Sequence, residues 1–232
     1  MKKLLRFLLC LVELFAVIYF ASDYFQLGKL FSKDSEIEQA IAQVTPSDNY
    51  IVLNNNIPKF ENEYLISIDP YEDYGNKDLL GRVTEANAVL GNELMPDKVR
   101  KDISSVKPSG WKQMKYDLIE GGWLYNRCHL IGYQLTGEND NPNNLMTGTR
   151  QFNVDGMLPF ENYVANYIEC TNNHVRYRII PYFKGINALA SGVIMEGVSI
   201  EDNSKGICYN IFIPNHKEGI TIDYLTVKST QE

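Results

Sequence analysis

The sequence predicts an α+β domain, a mainly antiparallel sheet that carries a strand–loop–helix unit. The first observation behind this is the C-terminal third. Four short apolar runs, 175–183 (VRYRIIPYF), 188–200 (ALASGVIMEGVSI), 207–214 (ICYNIFIP) and 220–227 (ITIDYLTV), are separated by turn residues, as in an antiparallel meander. The second is that helical periodicity is concentrated in one central segment, from about Thr149 to Ile168. The third is aromatic content: fifteen Tyr and ten Phe in 232 residues suit a protein built on a sheet. With 44% apolar and 22% charged residues the chain reads as globular and long enough to bury a sizeable core.

Taken in order, residues 1–31 stand apart. Lys2, Lys3 and Arg6 precede an apolar run, 7–21, broken only by Glu13. This is a charged n-region and an h-region of export-signal length, short for a full membrane span. Cutting after Ala21 would put Tyr19 where a small residue is wanted, and Cys10 lies too early for a lipoprotein site. The segment is therefore expected to be an export signal, either cleaved or kept as an anchor, with 32–232 as a single domain behind it. Within that domain 36–44 is a short helix or a tether. Residues 51–53 form a strand ending at the Asn54-Asn55-Asn56 turn, and 64–68 a strand running into Asp69-Pro70. Residues 79–90 (LLGRVTEANAVL) are a candidate strand bent at Gly81, and Gly192 and Gly197 suggest bulges farther on.

Charge argues against a nucleic-acid partner at first sight. The formal net charge is −7, and it becomes −9 once residues 1–31, with four bases and two acids, are set aside. Phosphate affinity usually comes from Lys and Arg. The more basic stretch 91–115, with Lys98, Arg100, Lys101, Lys107, Lys112 and Lys115, is where a phosphate-tracking rim is expected. Of the four cysteines, 10, 128, 170 and 208, none makes a CxxC or Cys/His spacing, so no structural zinc site is expected. In an exported chain Cys170 and Cys208 could pair, leaving Cys128 free beside His129.

The chemistry is concentrated in 121–168. An apolar, aromatic run carries Asn126-Arg127-Cys128-His129, and a turn-rich loop with Pro142 follows. Arg150, Asn153 and Glu161 come next, in the helical segment. Asn153 and Glu161 are eight residues apart, about two helical turns, which puts them on one face. A histidine can deprotonate water, an asparagine amide oxygen can hold Mg²⁺, and an arginine can stabilise phosphoryl charge. Together they suit metal-assisted phosphodiester hydrolysis. A lone histidine in an apolar strand is more often structural, and it is the constellation that singles out His129. Asparagine is unfavourable inside a helix, so Asn153 calls for a compensating role. Glu161 is by default helix surface, Arg127 and Arg150 ion-pair partners, and Asn144 a turn residue. His174 and His216 lie in polar turn regions, and Trp123 and Tyr125 read as core.

The residues Asn126-Arg127-Cys128-His129, followed by Asn153 within TRQFN and then by Glu161, resemble the DNA/RNA non-specific endonuclease family, whose catalytic core is called ββα-metal. The longer run WLYNRCHLIGYQLTGENDNPNNLMTGTRQFNVDGMLPFE is similar to extracellular and membrane-anchored DNases of streptococci, and LLGRVTEANAVL to the strand region ahead of the active site. The resemblance implies a nuclease domain over 32–232 with its catalytic core at about 64–168. His129 falls on the general base, Asn153 on the direct ligand of Mg²⁺ (or Mn²⁺), and Glu161 on the acid that holds water at the metal. Asn144 falls on a polar residue lining the site, and Arg127 and Arg150 lie beside the motif. It further implies cleavage of DNA, with RNA left open, to 5′-phosphate products. The protein would be secreted, or held on the extracellular face of the membrane through residues 1–31. The chain departs from the family's Asp-Arg-Gly-His at two places, Asn126 and Cys128. With the acidic charge, these departures motivate an alternative, a surface-displayed binding or adhesion module whose nuclease site has decayed.

Overall fold

The computed structural model describes residues 37–61 and 67–232. The expected export segment 1–31 and most of the expected strand 64–68 lie outside the described residues. The chain divides into two units, Met1–Gln43 and Val44–Glu232. In the first, residues 37–43 are helical (α1). Among the described residues no helix is long and apolar enough to cross a membrane.

The second unit is built on six antiparallel strands. These are β1 (Ile51–Val52), β2 (Tyr71–Tyr74), β3 (Ala86–Leu90), β6 (Val175–Tyr182), β7 (Gly192–Ser199) and β8 (Cys208–Pro214), in the order β1-β8-β7-β6-β3-β2. The expected meander is β6-β7-β8. Alternation sets its two faces. Val175, Tyr177 and Ile179 point into the core, as do Val193, Met195, Tyr209, Ile211 and Ile213. Arg176, Arg178, Glu196 and Asn210 occupy the other face, where the strap at 57–61 covers them. There Lys59 N–H donates to Glu196 at 2.7 Å and Asn210 donates to the Ile57 carbonyl at 2.9 Å.

Against the apolar face lies the unit that holds the site. Strands β4 (Tyr125–His129) and β5 (Leu145–Thr149) form an antiparallel pair, joined by a loop containing the short helix α2 (Tyr133–Thr136). A π-helical segment (Gln151–Met157) follows, then α3 (Leu158–Thr171). Cys128, Met146, Phe152, Val164, Ala165 and Ile168 close the core over the sheet.

Several expectations change. The helix expected from Thr149 begins as a wider turn. Thr149 stays in β5, and Pro159, lacking an N–H, stands in the first turn of α3 and prevents an uninterrupted α ladder across it. Only Ala86–Leu90 of the expected strand 79–90 pairs. Asp78 Oδ1 accepts from the N–H groups of Leu80 and Arg82, both at 2.9 Å, and holds 78–82 as a turn. Gly192 and Gly197 are not bulges, since the registers of β6-β7 and β7-β8 run through them unbroken. A Cβ at Gly197 would lie 2.7 Å from the Tyr209 ring, so close packing explains that glycine. The last expected strand is a separate pair, β9 (Ile220–Ile222) with β10 (Ser229–Gln231). Trp123 is 44% exposed, with the Lys115 ammonium 4.3 Å above its ring, whereas Tyr125 is core as expected. His174 is buried rather than in an open turn, bonded to Glu201 at 2.5 Å. Cys170 and Cys208 are both exposed and unpaired.

Candidate active site

The β4-β5 register pairs His129 with Leu145 and Tyr125 with Thr149. His129 is therefore the last residue of its strand, at the mouth of the connecting loop. Its ring is buried, 6% exposed, and Nε2 lies 2.8 Å from the Asn139 carbonyl. A carbonyl only accepts, so Nε2 carries the proton and Nδ1 presents its lone pair. Burial pushes the imidazole down to about 4, helped by the Arg100 guanidinium and opposed by the Asn139 bond. At neutral pH His129 is an uncharged base.

Facing Nδ1, at 3.4 Å, is Arg100 Nη2. The segment that carries Arg100 is pinned across the hairpin at several points. Tyr133 Oη donates to the Lys98 carbonyl at 2.8 Å, and Lys101 N–H donates to Asn139 Oδ1 at 3.0 Å. Thr147 Oγ1 donates to the Ser109 carbonyl at 2.8 Å. Arg127 completes the attachment, donating to the carbonyls of Val106 and Ser104 and stacking on Trp111 at 3.8 Å. Arg127, by its type either a phosphate contact or a structural partner, holds the basic segment in place.

Glu161, in the first turn of α3, reaches the same place. A Cβ at Gly132, three residues after His129, would lie 2.8 Å from the Glu161 carboxyl carbon, so the carboxylate packs directly on that backbone. Part of the residue is open to solvent, but its carboxyl end is the part packed inward. Burial raises it to about 7, with Arg100 pulling the other way. Gly132→Ala is expected to push this flexible carboxylate aside and lower activity roughly tenfold or more, with little loss of stability. Paired rate and melting measurements check it.

The same carboxylate gives a pH-dependent stability. Because its folded value lies above the ordinary carboxylate value, the folded state holds the proton more tightly than the unfolded chain. The stabilisation is present below about pH 4.5, fades as pH rises, and is gone above about 7. Glu161→Gln removes the ionisation. Above pH 7 the variant is therefore expected to be more stable by roughly 1–2 kcal/mol, discounted for partial exposure. The difference should vanish towards pH 4.5, as urea unfolding at the two ends of the range would show.

The other expected residues divide. The Asn153 side-chain amide is partly exposed in the π-helical segment and makes no hydrogen bond among the described residues, while its backbone carbonyl accepts from Leu158 N–H. Asn144 is a correction. It is fully buried, and its amide bonds both ways to Ile131, accepting from N–H at 2.9 Å and donating to the carbonyl at 3.1 Å. It fixes the backbone between His129 and Gly132 and does not line the site. Arg150 stands beyond Thr149, roughly 15 Å along the hairpin from the His129 end, paired with Glu120 at 2.7 Å. Asn126 lies one strand position out of phase with Arg127 and His129 and so faces the opposite side of β4. Cys128 is fully buried. A Cβ on neighbouring Gly148 would lie 2.6 Å from its sulfur, so Gly148 is what makes room for it. Burial pushes its thiol well up, making it a packing group.

Arg100 had a sequence signal only as one base among several. Asn139 and Gly132 had none, since their parts are played by a backbone carbonyl and by the absence of a side chain. A cavity of about 410 Å³ lies on the far face of the sheet, lined by Phe60, Tyr71, Arg176 and Arg178 among others, away from His129.

This arrangement of a strand-end histidine, a loop and a helical glutamate agrees with what the sequence matches as a whole. The profile of the DNA/RNA non-specific endonucleases matches residues 63–200, more than half of the chain. The chain belongs to the DNA/RNA non-specific endonuclease family. NucA of Streptococcus agalactiae is similar at 24% identity over 86% of this chain and 95% of that one. The TM-score is 0.72 for its metal-free structure and 0.71 for its magnesium-bound structure. At that identity the likeness establishes the fold. Sda1 nuclease, solved with a zinc ion, is similar at 25% identity over 70% of this chain and 82% of that one, with a TM-score of 0.62. Membership of the non-specific endonucleases makes nucleic acid the partner and phosphodiester hydrolysis the general activity. Among the described residues no group of three or more His, Cys, Asp or Glu could hold a metal. A hard cation that keeps most of its water needs no such group, and the uncommitted Asn153 amide oxygen is a donor of the right kind.

Proposed function

We propose that this chain is a Mg²⁺-dependent, sequence-non-specific endonuclease that hydrolyses DNA, with RNA as an open second substrate, to products bearing 5′-phosphates. The observation that carries this is the neutral, oriented His129, with Nε2–H on the Asn139 carbonyl and the Nδ1 lone pair facing the Arg100 guanidinium. His129 Nδ1 takes a proton from water, and that water's oxygen bonds to phosphorus as the bond to the 3′ oxygen breaks. The leaving oxygen takes up a proton from solvent. Arg100 sits where it can neutralise phosphoryl charge on the attacked group. The Asn153 amide oxygen would hold Mg²⁺ or Mn²⁺, with the Glu161 carboxylate as a second oxygen donor in the site. Bound there, the ion would stabilise negative charge on the leaving oxygen.

Contacts to phosphate and sugar carry no base identity, which suits non-specific cleavage. The acidic balance of the chain is met locally by the pinned basic segment at 98–107. Residues 1–31 would export the domain or hold it outside the membrane, with 32–232 acting as one nuclease domain. Against the alternative, a binding module with a decayed site, Cys128 is accommodated in the core by the missing side chain at Gly148. End-group analysis of digested DNA tests the proposal. Fragments that ligate without added kinase are expected, and ends that need a 5′-phosphate added would overturn it.

A further inference from the structure

Leu79, Leu80 and Ile186 are among the most exposed large apolar residues, at 106%, 54% and 71%. They occupy two neighbouring turns that a single side chain joins. Arg82 donates to the carbonyls of Gly185 at 2.7 Å and Asn187 at 3.1 Å, while its Nε donates to Asp78 at 2.7 Å. The guanidinium also lies 4.6 Å from the centre of the Phe183 ring. Asp78 accepts from two N–H groups of its own turn, and Asn187 N–H closes the other on Lys184. The apolar tips are thus held outward by a built framework. Lys77 and Arg82 flank these leucines in the sequence, in a chain whose overall charge is −7.

The position of these turns in the sheet indicates what covers them. They lie at the Ala86, Tyr182 and Gly192 ends of β3, β6 and β7. β1 pairs Ile51 with Phe212 and Val52 with Ile211, so the chain enters the sheet from the Pro214 end of β8, which is the Gly192 end of β7. Residues just ahead of β1 therefore lead into the sheet at the same strand ends as the exposed tips, on the edge of the strand order away from β3. At the opposite end of β3, roughly 14 Å away, the chain leaves for the segment that brings Arg100 to His129.

We propose that the turns 78–82 and 184–187 form a lipid-docking face that seats this end of the sheet on a bilayer. Leu79, Leu80 and Ile186 enter the acyl boundary, and Lys77 meets anionic headgroups. The cleft end of the sheet is then left towards bulk solvent and its polymeric substrate. The inference takes the run 7–21 as a membrane segment and does not depend on the nuclease chemistry.

The test is amide hydrogen exchange on the full chain, with and without vesicles of phosphatidylglycerol and phosphatidylcholine. It reads the two turns locally, whatever residues 7–21 do. Exchange within 78–82 and 184–187 is expected to slow by about fivefold or more on vesicles, with 98–107 unchanged. In the triple variant Leu79→Asp, Leu80→Asp, Ile186→Asp that protection should disappear while cleavage of free DNA in solution is retained. Unchanged exchange in both turns on vesicles would overturn the proposal, as would equal protection in the variant.

Discussion

Replacing His129 by alanine is expected to lower the rate of DNA cleavage by roughly 10³-fold, within the range general bases contribute. Nε2–H is held by the Asn139 carbonyl and burial keeps the ring uncharged, so Nδ1 is available as a base at neutral pH without prior deprotonation. No other imidazole can stand in. His174 is bonded to Glu201, and His216 packs on the Asp48 carbonyl near the Thr149 end of the hairpin. The fold should survive, because the loss is the bond to the Asn139 carbonyl, the long contact with Arg100 and some packing. An orphaned Asn139 carbonyl costs about 1–3 kcal/mol, a shift in melting temperature and not a collapse. Far-ultraviolet circular dichroism and a melt beside the rate measurement separate the two effects.

Asn153→Ala is expected to be the opposite kind of variant, costing activity and almost nothing in stability. The amide makes no hydrogen bond within the described protein, so its removal leaves no partner unsatisfied. Alanine is also the better residue in a helical segment, by up to about 0.7 kcal/mol. If the amide oxygen holds the cation, cleavage should fall by roughly 10²-fold or more at millimolar Mg²⁺, with part of the loss recovered as Mg²⁺ is raised. A Mg²⁺ titration of nicking activity, with melting curves on the same samples, checks this. A variant that melts far lower yet cuts normally would make Asn153 a structural residue.

Much of this architecture was legible in the sequence. The meander of β6-β7-β8 followed from alternating apolar runs, and His129 and Glu161, singled out by their company, come near each other through Gly132. What the sequence hid has physical causes. Leu79 and Leu80 read as strand because apolar residues usually pair and bury, but Asp78 captures the backbone of the next four residues first. Helical spacing alone could not show the π-helical turn, since that spacing assumes the ladder that Pro159 interrupts. Arg127, Asn144 and Arg150 are the residue types a phosphate site needs. Nothing in their order says that their donors are taken up by Val106 and Ser104, by Ile131, and by Glu120. Arg100 was the reverse case, an ordinary base in a mixed stretch whose position over His129 depends on tertiary contacts from Tyr133 and Asn139.

The most direct measurement is nicking of supercoiled plasmid by the purified full chain in Mg²⁺, repeated in EDTA and with His129→Ala in Mg²⁺. Cleavage by the unaltered chain in Mg²⁺ alone, with little or none in the other two, is the result this structure predicts. No cleavage by a folded, Mg²⁺-supplied chain, or cleavage that persists without the metal or without His129, would contradict it.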